Sequence, residues 1–173
     1  KEEAIEDQDF IDESIADGDY IVREDGTIVI YDTRRPEGIS TSCIACVGGR
    51  YEVKKTAGPS TVYGSWIIGT EGKGPATLKF SKSVSWSNSY SGTLSVSKSL
   101  VNAAVGFDIT KSGKSTASYS VKVPAKKTYQ IQYRRVYKKY TVRQRYYVGN
   151  TLVKTTYVYP RKYSHIGYRS ISK

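Results

Sequence analysis

Few side chains of this sequence are equipped for bond-making chemistry. His165 is its one imidazole, so any Ser-His-Asp or Cys-His arrangement would depend on that residue alone, and its surroundings read as a C-terminal loop. A paired-carboxylate hydrolase needs two acids held across a cleft, yet residues 33–173 offer only Glu37, Glu52, Glu71 and Asp108. GTEGKGPAT has glycines and a lysine but not the spacing of a phosphate-binding loop. Cys43 and Cys46 form a C-x-x-C within TSCIACVGGR. A short-loop disulfide is one reading; a zinc site would need two more ligands, and a redox pair would need a helix that nothing here predicts. No catalytic residue, metal or cofactor is therefore expected, and the function class is binding rather than catalysis.

The binding chemistry lies in the last third. Arg134, Arg135, Lys138, Lys139, Arg143 and Arg145 crowd together, interleaved with Tyr133, Tyr137, Tyr140, Tyr146 and Tyr147. Residues 117–173 hold 14 Lys and Arg and 11 Tyr, and no carboxylate side chain follows Asp108. Cations among aromatic rings suit an anionic membrane, a cell-wall polymer or an acidic glycan. Single-stranded nucleic acid is served by the same inventory, but an extracellular type of composition argues against that partner. The competing reading makes the tyrosines the half-buried core of a twisted sheet and the charges its solvated edge, which would also discourage edge-to-edge aggregation.

Charge divides the chain in two. Residues 1–32 sum to −10 and residues 33–173 to +21, giving the net +11. Residues 1–35 are accordingly read as an acidic N-terminal segment and 36–173 as a cationic Ser/Tyr-rich β domain. Such asymmetry implies either that the acidic part neutralises the basic surface or that the surface awaits an anionic partner. No window approaches the roughly 18 apolar residues of a membrane-spanning helix. The start at KEEAIEDQDF, without Met, reads as a mature or trimmed product, and composition rather than any visible signal points to a secreted, extracellular protein.

The elements that must position these residues are strands. Ser, Thr, Tyr, Val and Gly are abundant, Met is absent, and the fold class expected is all-β: an elongated, twisted antiparallel sheet. Ile5, Phe10, Ile11 and Ile15 allow a short amphipathic helix in the acidic segment, or none. YIVREDGTIVIYD is a hairpin signal around Asp25-Gly26, TRRPEGIS a linker, and Gly149-Asn150 a second hairpin turn. Gly58-Pro59, Gly64, Gly69 and residues 71–75 punctuate short strands. From Ala76 to Leu100 even positions are mostly apolar and odd ones nearly all hydroxyl, which implies one long curved strand or two joined near Ser91-Gly92. The phase then switches, placing Val101, Ala103, Val105, Phe107 and Ile109, and later Tyr119, Val121 and Val123, at odd positions. A turn over Lys111–Ser115 would fold these two arms into an amphipathic hairpin ended by Pro124. Such alternation fits a lipid-facing barrel strand and equally a soluble sheet with one packed face.

The stretch SKSVSWSNSYSGTLSVSKSLVNAAVGFDITKSGKSTASYSVKVPAKKTYQIQYRRVY resembles the central region of aerolysin-like β-pore-forming proteins of the ETX/MTX2 type, and small secreted β-rich proteins of Gram-positive bacteria. In that family a Ser/Thr-rich strand leads into an insertion hairpin and then into a Tyr-rich strand. The resemblance implies a membrane-insertion hairpin at Leu100, Val101, Ala103, Val105, Phe107, Ile109 and Tyr119, and insertion as a homo-oligomer.

Overall fold

The computed structural model describes residues 20–32 and 49–173. The N-terminal helix expectation, the linker and the Cys43/Cys46 pair lie outside the described residues. Among the described residues the fold is all-β and antiparallel, with one short helix.

Strand formation follows the apolar alternation and its punctuation. β1 (Ile21–Val22) and β2 (Ile28–Asp32) form the first hairpin, with Ile21 opposite Val29. Gly26 takes φ +85° in the turn, a conformation that costs a residue with a Cβ but not glycine. Asp25 Oδ1 accepts the Thr27 N–H at 3.0 Å and Oδ2 accepts from Lys54 Nζ at 3.3 Å. The backbone and side-chain hydrogen bonds from Thr27 hold the Asp25 carboxyl down at about 2, with Lys54 adding to it. A carboxylate with a depressed pKa stabilises the fold fully above its unfolded value and loses that contribution as pH falls through the folded one. Asp25→Ala should therefore lower the thermal midpoint at pH 6, and the difference from wild type should shrink below about pH 4 and be mostly lost by about pH 2. A difference that is constant from pH 6 to pH 2 would contradict this.

β2 pairs with β3 (Gly49–Tyr63), so the hairpin from the acidic segment is an edge of the main sheet. β3 does not stop at Gly58-Pro59 as the turn signal suggests. The strand runs through, absorbing that dipeptide in register shifts between Lys55 and Ser60 against β8 (Thr128–Val148). β4 (Ile67–Lys73) continues along the same edge of β8 with a bulge at Gly69. β8 then turns at Gly149-Asn150 into β9 (Thr151–Ser172), and the two long strands are the axis of the sheet. His165 sits within β9 opposite Val136, not in a loop.

The hydroxyl-and-apolar region divides at Asn88. β5 (Ala76–Ser87) pairs with β7 (Ser112–Val123) as a separate two-stranded sheet, while β6 (Ser89–Gly92) pairs with β9. Residues 111–115 therefore form no turn between two arms: Ser112–Ser115 are in ladder with Val84–Ser87. The hairpin expected from Leu100 to Tyr119 is corrected accordingly. Leu100, Val101, Ala103 and Val105 lie on α1 (Lys98–Val105), Phe107 and Ile109 in the turns after it, and Tyr119 on β7 opposite Phe80. The physical reason is that LVNAAVG satisfies two periods. Its odd positions alternate, but Leu100, Val101, Ala104 and Val105 also form a helical stripe, and Gly106 caps it at φ +86°.

Two cores result. The first gathers Ile28, Ile30, Tyr51, Val53, Tyr90, Leu94, Val96, Val142 and Val158 beneath the buried side of α1. The second sets Phe80, Val84 and Ala117 of the β5–β7 layer on Ile131 and Tyr133 of β8.

Candidate anionic-surface interface

The candidate cations of β8 do not share one environment. Arg135 Nε donates to the Ser85 carbonyl at 2.7 Å, tying β8 to β5, and Lys138 Nζ donates to Thr61 Oγ1 at 2.8 Å. Tyr133 and Tyr137 are buried, the first 5.3 Å from Phe80 and the second edge-on to Tyr163. They serve the core, which withdraws them from the expected surface. Tyr140 is half-buried against Phe107.

Arg143, Arg145 and Lys139 gain partners from other strands. In an antiparallel sheet directly opposed residues place their side chains on the same face. Lys54, Arg143 and Tyr157 are aligned across β3, β8 and β9; Glu52, Arg145 and Thr155 form the next rung, and Ser60, Lys139 and Arg161 another. Lys139 Nζ lies 5.1 Å from the Tyr159 ring centroid, and Tyr159 is stacked 6.5 Å from Tyr157, so the rungs are contiguous. Arg145 Nε and Arg161 Nε are buried without a hydrogen-bond partner.

Electrostatically the row is graded. At the β1–β2 end Glu52 pairs with Arg23 and Arg50, and Asp25 with Lys54. Towards the middle of β8, Lys139, Arg143 and Arg161 have no carboxylate partner among the described residues. An uncompensated cation row beside stacked tyrosines attracts anions over roughly a Debye length, about 8 Å at physiological salt. Lys54, Tyr157, Tyr159 and Arg161 escape a sequence reading because they lie up to about a hundred residues from their neighbours on this face; cross-strand register was the missing signal.

No family model matches the chain, and no curated protein matches it either. Among the described residues no three metal-ligating side chains are gathered, and no helix is long and apolar enough to cross a membrane.

The segment between β5 and β7 is the other notable site. It is held down by Gln144, whose Oε1 accepts the N–H groups of Ser95 and Val96 at 2.7 and 3.2 Å and whose Nε2 donates to the Thr93 carbonyl at 2.8 Å. Asn88 fixes its base, donating to the Asp108 carbonyl and accepting from the Tyr163 N–H. Asp108 Oδ1 accepts from Thr110 N and Oγ1, which lowers its pKa.

Proposed function

We propose that this chain is a secreted, non-enzymatic protein that binds an anionic membrane or cell-wall surface through the cation and tyrosine rungs of β3, β8 and β9. It then inserts residues 88–111 as an extension of the β5–β7 ladder, in the manner of aerolysin-like proteins and as a homo-oligomer. The observation that carries the reading is the register of that ladder. Ser87 is opposite Ser112, and the next backbone bond is already made, from Asn88 N to Lys111 O at 2.7 Å.

Continuing the same register sets Tyr90 opposite Ile109, Gly92 opposite Phe107, Leu94 opposite Val105 and Val96 opposite Ala103. The opposite face would carry Ser89 with Thr110, Ser91 with Asp108, and Ser97 with Asn102. Switching phase between Leu100 and Val101 is what a ladder closing on a turn there requires. Eleven added rungs at about 3.3 Å each extend about 36 Å, enough to cross a hydrocarbon core of about 30 Å with the usual tilt. Leu94, Val96, Val101 and Ile109 would leave a buried core, but lipid tails are as apolar as that core, so most of the hydrophobic term is recovered.

The test is dye release from phosphatidylglycerol vesicles and from phosphatidylcholine vesicles. Binding and leakage are expected on the anionic vesicles and should weaken with salt. Binding without leakage would leave a non-enzymatic envelope protein without pore activity, the reading favoured by how fully the segment is buried. No binding to either vesicle refutes the proposal.

A further inference from the structure

A second cation site lies at the other end of the sheet. Arg134 is adjacent to Arg135, whose side chain reaches β5, and neighbouring side chains on a strand alternate, so Arg134 lies on the opposite face. There its guanidinium carbon is 3.9 Å from the Tyr63 ring centroid and 4.2 Å from that of Trp66. Arg169 of β9 lies 4.4 Å from the Trp66 ring. Two guanidiniums thus share one indole, within about 9 Å of each other, where like charges repel. Among the described residues no carboxylate pairs with either.

Both groups are held in place. Arg169 Nε donates to Gln132 Oε1 at 2.7 Å, and Gln132 Nε2 donates in turn to Gln130 Oε1 at 2.6 Å, with both glutamines buried. Arg134 Nε is buried and has no acceptor. Stacking covers guanidinium faces and leaves the N–H edges for a partner, and a forked edge fits a tetrahedral oxyanion. Beside them Tyr63 is 56% exposed, a platform for a sugar.

We propose that Arg134, Arg169 and Trp66 form a binding site for the sulfate or phosphate ester groups of an anionic glycan. The inference deepens the anionic-surface reading and rests on it, but it needs neither vesicles nor the β5–β7 segment. Its test is titration calorimetry of the full chain with dextran sulfate, with neutral dextran, inorganic sulfate and phosphatidylglycerol vesicles as the other arms. Dextran sulfate should bind and neutral dextran should not.

Arg134→Gln with Arg169→Gln should weaken dextran sulfate about tenfold. Lys79→Gln with Lys122→Gln removes the same charge from exposed positions of β5 and β7, and should change Kd less than about twofold. Arg169→Gln alone, at an exposed residue, keeps the test available should the double variant fail to fold. Equal losses for the two pairs, no loss for either, or binding to the vesicles but not to dextran sulfate would overturn the site. Leakage that persists in Arg134→Gln/Arg169→Gln while dextran sulfate binding is lost separates this site from the insertion reading.

Discussion

Gln144→Leu should lower stability by about 3 kcal/mol or more and loosen the segment between β5 and β7 before the rest of the sheet. Gln144 is 1% exposed and sits opposite Val53, inside the first core. Leucine fills nearly the same space, so little of the effect would come from a cavity. The loss comes from three backbone partners, the N–H groups of Ser95 and Val96 and the carbonyl of Thr93. Ser95 and Val96 are buried, and each buried backbone group left without a partner costs about 1–3 kcal/mol. In a chain of this length about 3 kcal/mol lowers the melting midpoint by roughly 10 °C. Chemical denaturation gives the magnitude, and hydrogen exchange gives the place: the amides of Ser95 and Val96 should lose protection while those of β8 and β9 keep theirs. A loss below about 1 kcal/mol, or uniform loss of protection, would show that Gln144 is not the clamp. Coupled to the insertion reading, the same variant should release dye faster than wild type, because the clamped state lies nearer in energy to the extended one.

The strands were largely legible because their information is local. Asp25-Gly26 and Gly149-Asn150 occur where the hairpins turn, and the alternation from Ala76 to Ser87 gives β5 its two faces. Pairing was not legible. The sequence of 101–123 offers β7 two partners, the preceding arm or the hydroxyl strand, and the fold selects the second because all twelve residues of β5 then find a rung. The helix was missed for a related reason. Over eight residues the periods of strand and helix both fit, and what decides is burial of Leu100, Val101 and Val105 in the first core, a tertiary contact. The candidate interface shows the same division. Its cations on β8 were read from composition, whereas the removal of Tyr133 and Tyr137 into the core and the arrival of Lys54, Arg161 and Tyr157 depend on which strands become neighbours.

Ala103 separates the two states of the segment most cleanly. On α1 it is exposed, so Ala103→Asp introduces no buried charge and should cost the folded protein only about 1 kcal/mol, the helix propensity and dipole complementarity lost with alanine. In the extended ladder the same residue falls opposite Val96 on the apolar face, on the ninth of the eleven added rungs and so towards the turn. A charge facing lipid there, short of the midplane, costs about 1 kcal/mol per copy, and in a ring of copies that penalty repeats around the barrel. Leakage from phosphatidylglycerol vesicles should fall by well over tenfold, with binding unchanged and the melting midpoint lowered by only about 2–4 °C. Asn102→Asp is the matched control. It keeps an acceptor for the Ile109 N–H, adds the same charge one residue away, and lies on the hydroxyl face of the extension. Its leakage should stay within about threefold of wild type. Equal inhibition by the two variants would mean that negative charge acts through surface attraction, and no inhibition by Ala103→Asp would mean that this face never meets lipid. Since the substitution slightly weakens the folded segment, which by itself would speed release, slower release reads the geometry of the extension.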